Sequence, residues 1–115
     1  MSRSLHASFP RAWLALLAAT LAAGQAHASC RTHDRSEQVA LVLCSTHTDA
    51  AALKAAGEAA CKGKTLCNAW IWDDASKMPA QAPVADKDLP KSASSAARAI
   101  WIHDSQHLMQ LRKAR

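Results

Sequence analysis

The fold is decided by residues 39–72, which read VALVLCSTHTDAAALKAAGEAACKGKTLCNAWIW. The first six residues are apolar, partly β-branched and end at a cysteine, which is typical of a short buried strand. Alanine, the strongest helix former, then dominates from Ala50 to Cys61. Thr65 to Trp72 returns to an apolar strand pattern. The stretch therefore predicts a strand, a helix and a second strand in that order.

Both ends of the predicted helix carry recognisable signals. Thr48 or Asp49 can cap its start, because a side-chain oxygen there accepts a backbone N–H of the first turn. Gly63 can end it in the left-handed conformation. Three residues recur at helical spacing and form a slim face that can lie close on a sheet: Leu53, Gly57 and Ala60.

The flanking segments complete a small sheet. Residues 30–38 are polar and are expected to be irregular or an edge strand. Ala97 to His103 is a further strand candidate. Residues 107–112 are expected to be a last strand or a short helix. The order of elements predicts an α+β domain, stabilised by disulfides, with one main helix packed on a three- to four-stranded, mainly antiparallel sheet.

A long loop is predicted between the strand that ends at Trp72 and the strand candidate that begins at Ala97. Residues 74–95 are rich in Pro, Ala, Lys and Asp, with prolines at 79, 83 and 90. Because proline cannot donate to a ladder and this spacing leaves no room for a helix, we expect a surface loop of about twenty residues.

Residues 1–28 resemble a secretory signal. Arg3 and Arg11 give a positive start, residues 12–23 are apolar and uncharged, and Ala26-His27-Ala28 offers small residues at a cleavage site. The apolar run is short for an uncleaved anchor, since a span needs about 20 residues. Lipid attachment at Cys30 is the other alternative, disfavoured by His27. Cleavage after Ala28 leaves one small domain, residues 29–115, and lowers the net charge from +5 to +3 because two arginines leave.

The four cysteines follow the leader, so an oxidising compartment predicts two disulfides. The pairing Cys30–Cys44 with Cys61–Cys67 is favoured over its two rivals, since a fold-back and a turn bring these pairs together. The rival use of the sulfurs is a zinc site of Cys44, His47, Cys61 and Cys67. Because large apolar residues are few, we expect the disulfides to be needed for stability.

The tryptophans are the main candidates for binding. Trp70, Trp72 and Trp101 are the only aromatic residues after the leader. They are expected either to form the core or to form an aromatic platform for a protein or glycan partner. Residues 69–74 weakly resemble residues 99–104, and side-by-side pairing of the two segments could bring all three rings together.

A second candidate site combines His103, His107 and Met109. Two histidines four residues apart share a helical face and can also meet across a hairpin turn, and histidine with methionine suits copper. The site predicts a copper- or zinc-binding protein as the alternative function. The principal expectation is that the protein has no cofactor.

The remaining chemistry favours a non-enzymatic protein. The acid pairs Asp73/Asp74 and Asp86/Asp88 are expected to be solvated, and no nucleophile motif is present, although a hydrolase stays an alternative. The mild, scattered positive charge does not favour nucleic-acid binding, and no membrane span is expected after the leader. The sequence thus predicts a small periplasmic or secreted binding or accessory protein of the cell envelope.

Overall fold

A computed structural model describes residues 29–112 of the 115-residue chain. The predicted leader lies outside the described residues. Among the described helices, none has the length and apolar character needed to cross a bilayer. In chain order the elements are β1 (Cys30–Arg35), β2 (Val39–Cys44), α1 (Ala50–Ala60), β3 (Asn68–Trp72), α2 (Lys91–Ala96), β4 (Ala99–Ile102) and β5 (His107–Gln110).

The strands form one mixed sheet in the order β1-β2-β3-β4-β5. All neighbours pair antiparallel except β2 and β3, which are parallel. The reason is that α1 carries the chain from the end of β2 back to the start of β3. A small α+β domain with one main helix and two disulfides is confirmed. The expected three to four strands are five, because the polar first segment is an edge strand and residues 107–110 are a strand.

Helix α1 lies on one face of the sheet. Asp49 is its N-cap, and Asp49 Oδ1 accepts a hydrogen bond from Ala52 N at 2.9 Å. The predicted slim face is the buried face, formed by Leu53, Gly57 and Ala60. A Cβ placed on Gly57 would lie 2.3 Å from the Cβ of Trp101. Glycine therefore allows the helix to approach β4 closely.

The two disulfides belong to the buried cluster between the sheet and α1. They join Cys30 to Cys44 and Cys61 to Cys67, the pairing favoured by the sequence. Cys30 and Cys44 are register partners in β1 and β2, with Cα atoms 4.0 Å apart. The second disulfide closes the turn after α1, where Gly63 has a φ of +82°. Because all three cysteine sulfurs are in disulfides, the alternative zinc site of Cys44, His47, Cys61 and Cys67 is wrong.

Residues 73–98, the covering segment, form a layer over the second face of the sheet. Leu89, Ala93 and Ala97 from this segment share a buried cluster with three sheet residues, Val39, Leu41 and Trp72. A separate buried cluster lies between the sheet and α1. The predicted surface loop therefore contributes buried residues to the second of the two clusters and covers part of the second face of the sheet.

The covering segment also contains helical structure, although its prolines predicted none. Two 3₁₀ turns, Ala75–Lys77 and Asp86–Asp88, precede α2. Pro90 is the N-cap of α2, a place where its missing N–H removes no helical hydrogen bond. The expectation that the proline spacing leaves no room for a helix is wrong for this reason.

Candidate interaction surface

Two of the three tryptophans that were candidates for a platform are core residues. Trp72 and Trp101 are each 0% exposed. They lie on opposite faces of the sheet, Trp72 under the covering segment and Trp101 under α1. Trp72 Nε1 donates to the carbonyl of Ala93 at 2.9 Å, which satisfies its polar atom inside the core. A platform that includes these two rings, or that joins all three, is therefore wrong.

Trp70 is half-buried at the margin of the covering segment. Its ring stacks on Trp72 with centroids 6.4 Å apart. Trp70 Nε1 donates to Asp86 Oδ1 at 2.6 Å, and Asn68 Nδ2 donates to Asp86 Oδ2 at 2.7 Å. Asp86, expected to be solvated, thus fastens the covering segment to β3 with both carboxylate oxygens.

Beyond Trp70 none of the described residues 29–112 covers the second face of the sheet. The covering segment packs on β2 and β3, while Ile100 and Ile102 in β4 stay half-buried. In β5, Met109 is 41% exposed, and Leu111, just after the strand, is 43% exposed. The register places Trp70 opposite Ile100 and Ile100 opposite Met109, so these side chains share one face. We call this surface the uncovered strip: Trp70, Ile100, Ile102, Met109 and Leu111.

The strip ends at an open edge of the sheet. In the described part of the chain, no strand pairs with the outer side of β5. His103 N donates to Cys67 O at 3.1 Å, so the backbone groups of His103 face β3 and, by alternation, those of Ile102 and Ile100 face β5. Met109, the register partner of Ile100, therefore turns its backbone groups towards β4, and Leu108 and Gln110 turn theirs outward. Leu111 N agrees with this alternation, since it donates to Arg98 O at 2.8 Å. β5 carries no Asp, Glu, Lys or Arg side chain to discourage pairing.

The opposite edge is shielded. β1 has a register irregularity between Thr32 and Asp34 and carries charged side chains. The covering segment reaches over it: Ala82 N donates to Asp34 Oδ2 at 2.7 Å, and His33 Nε2 donates to Ala80 O at 3.0 Å. The hydrogen bond from Ala82 holds the pKa of Asp34 below its usual value. Irregularity, charge and cover are the usual protections of an edge strand. Among residues 29–112, β5 has a regular register, no Asp, Glu, Lys or Arg side chain of its own and no segment laid over it.

The predicted copper or zinc ligands are not brought together. His103 Nδ1 accepts a hydrogen bond from Trp101 Nε1 at 3.1 Å, on the helix side of the sheet. His107 and Met109 alternate with Leu108, which packs on the helix-side core, so they lie on the other face. Within residues 29–112, no three His, Cys, Asp or Glu side chains are placed to hold a metal ion.

A buried carboxylate lies where the parallel strands end. The side chain of Asp73, expected to be solvated, is 1% exposed and forms an ion pair of 2.6 Å with Arg112. Its Oδ2 has no hydrogen-bond partner among the described residues. A shallow cavity of about 430 Å³ opens beside it, lined by Ser29, Cys30, Arg31, Leu43, Cys44, Ser45 and Ala75. The ion pair ties the chain after β5 to the end of β3.

A second buried charge secures the turn before α1. Arg98 is 2% exposed. Its guanidinium donates to the carbonyls of Ser45, Thr46 and Thr48, the last through a short contact. Arg98 therefore fixes the end of β2 against the start of β4, a structural role rather than one in binding.

Trp70 and Met109 were predicted as site residues, but in two different sites, and Ile100, Ile102 and Leu111 were not predicted. The alternation of Ile100 and Ile102 with Trp101 was the available signal, although it does not say which face stays open. Searches for matching family models, curated proteins and solved structures found no match to this chain.

Proposed function

We propose that this protein is a small exported, non-enzymatic binding module of the cell envelope that docks an extended segment of a partner protein on β5. The observation that carries the proposal is the juxtaposition of an open, uncharged edge strand with exposed apolar side chains. Met109 and Leu111 are the two most exposed members of that surface. The opposite edge of the sheet, β1, is by contrast irregular and charged, and the covering segment contacts its side chains.

The chemistry of the edge suits strand addition. The outward N–H and C=O groups of Leu108 and Gln110 supply two donors and two acceptors for a partner backbone. Main-chain hydrogen bonds of this kind provide affinity, and alternate side chains provide specificity. Alternate residues of an added strand would lie beside the uncovered strip, so we expect a partner segment with apolar residues at every second position.

Export is part of the same proposal. The leader pattern in residues 1–28 supports it, and so do the two disulfides, which persist in oxidising compartments. In a bacterial host we expect the periplasmic chain to begin at Ser29 with all four cysteines oxidised, as measured by intact mass after thiol labelling. A chain that stays in the cytoplasm from Met1 with free thiols would contradict this part.

The docking proposal is tested with a display library of random linear peptides, selected on the disulfide-intact protein. We expect the selected peptides to slow hydrogen exchange at the outward amides of Leu108 and Gln110. Met109→Lys should weaken them by about tenfold or more, because it places a charge in the apolar contact. Val84→Lys is the matched control, since Val84 is 72% exposed and lies outside the strip.

Two results would overturn docking at this edge. One is a failure to select any peptide whose binding depends on Met109. The other is protection that appears elsewhere in the chain and leaves the Leu108 and Gln110 amides unchanged. Glycan binding that is insensitive to Met109→Lys would likewise assign recognition to another surface and another class of ligand.

A further inference from the structure

We propose that β5 pairs with β5 of a second copy of this chain, antiparallel, about a two-fold axis through Met109. The inference rests on the proposed function in one respect, that β5 is a docking edge. It goes further because it names the partner segment: β5 of another copy, whose sequence is the same.

The register follows from which backbone groups are free. In an antiparallel pair, two residues can exchange hydrogen bonds only if both turn their N–H and C=O towards the partner. In β5 these residues are Leu108 and Gln110. Three two-fold arrangements therefore exist: Leu108 opposite itself, Gln110 opposite itself, or Leu108 opposite Gln110 of the partner subunit.

Backbone conformation selects the third arrangement. With Leu108 on the axis, Gln106 would have to enter the ladder, but its φ is +56° and it belongs to the turn. With Gln110 on the axis, Leu108 would have to pair with Arg112 of the partner subunit, where the chain bends. The third arrangement places Met109 on the axis and pairs residues 107–111 of both copies throughout.

Side chains in this register are compatible with pairing. Met109 lies opposite Met109 of the partner subunit as a non-hydrogen-bonded pair, and Leu111 lies opposite His107 of the partner subunit. No side chain in residues 107–111 carries a fixed charge, so no like charges oppose each other. Arg112, the nearest fixed charge, lies opposite a neutral glutamine. The two-fold rotation also places the uncovered strips of the two copies side by side on one face of the joined sheet.

The expected complex is weak and reversible. Pairing of five residues per copy is a small contact, at the low end of specific interfaces. Analytical ultracentrifugation of the disulfide-intact protein should therefore show a monomer–dimer equilibrium that shifts towards dimer as concentration rises. Met109→Lys should abolish the dimer, because it brings two ammonium groups together on the axis, and Val84→Lys should leave it unchanged.

Cross-linking tests the register itself. In this pairing the two Cα atoms at position 109 are about 4.5 Å apart, close to the 4.0 Å between Cys30 and Cys44. Under mild oxidation M109C should form an intermolecular disulfide. L111C is the matched control, because the two positions 111 lie about 13 Å apart along the strands, beyond the reach of a disulfide. L111C mixed with H107C should link.

The outcomes separate this inference from the proposed function. Equal linking rates for M109C and L111C, or a monomer at every concentration tested, would overturn self-pairing. If selected peptides still protect the Leu108 and Gln110 amides in that case, the docking edge stands and only its use by a second copy is wrong. If the protein neither self-pairs nor selects peptides that protect these amides, both self-pairing and docking at β5 are wrong.

Discussion

The indole of Trp70 and the carboxylate of Asp86 are joined by a hydrogen bond of 2.6 Å across sixteen residues of chain. The second oxygen of Asp86 accepts from Asn68, so one carboxylate fastens the covering segment to β3 at two points. This clamp marks the border between the covered and the uncovered part of the second face. Whether Trp70 belongs to the core or to the surface depends on it.

Removing the clamp should loosen the covering segment without unfolding the sheet. Because Asp86→Ala leaves the Trp70 and Asn68 donors without their charged acceptor, we expect a loss of about 1–3 kcal/mol in the free energy of unfolding. Urea denaturation followed by tryptophan fluorescence measures it. Asp88→Ala is the control, since Asp88 is exposed in the same 3₁₀ turn. Equal effects of both substitutions would show that the clamp contributes nothing.

Gly57→Ala should destabilise the protein although alanine favours helices. The gain in helix propensity is at most about 1 kcal/mol, whereas the added methyl would meet Trp101 at 2.3 Å and force α1 away from β4. We expect a net loss of about 1–3 kcal/mol, the usual cost of overpacking, visible as a lower Tm. Glu58→Ala, on the exposed neighbouring position, should change Tm little. A Gly57→Ala variant as stable as the parent protein would show that the helix can move away without cost.

Acid should release the contact between the covering segment and β1. Since the hydrogen bond from Ala82 lowers the pKa of Asp34 in the folded state, the contribution of Asp34 to stability is complete above its unfolded pKa. It is lost as pH falls through the lower folded pKa. The difference in stability between the parent protein and Asp34→Asn should therefore be largest near neutral pH and shrink in acid. Urea midpoints across the acid range measure it, with Asp104→Asn as an exposed control. A difference that does not vary with pH would contradict the assignment.

Opening the two disulfides should have unequal effects. The cysteines of Cys30–Cys44 are 14 residues apart and those of Cys61–Cys67 are 6 apart. If the effect is mainly on the entropy of the unfolded chain, replacing the first pair with alanine should cost about 3 kcal/mol and the second about 2 kcal/mol. Equilibrium unfolding of the two double variants provides the comparison. The reverse order would show that native-state contacts outweigh loop length.

Local patterns predicted those parts of the fold that local interactions determine. The capped alanine helix, the strands at Val39 and Trp70, and the turn at Gly63 each follow from neighbouring residues. The parallel pairing of β2 and β3 could also have been inferred, because a helical crossover between adjacent strands requires it. A mainly antiparallel sheet was expected instead, and the observed sheet is mixed.

The second layer could not be predicted in this way. Its anchors join residues far apart in the chain, such as Asp34 with Ala82 and Ser36 with Pro83. Proline and alanine in the covering segment have the composition of a solvent-exposed loop, and their burial depends on the sheet face they meet. For the same reason the alternation of Trp70 and Trp72 indicated a shared face but not that this face would be covered at one residue and open beside the other.

The unequal edges of the sheet also limit how far association can proceed. An exposed strand is a template for indefinite stacking when both sides of a sheet are available, as in fibrils. Here the covering segment holds the side chains of His33 and Asp34 on the β1 edge. If β5 pairs with β5 of a second copy, the two outer edges of the joined sheet are both β1, which is irregular and charged. These properties disfavour the addition of further strands, so we expect association to stop at a pair.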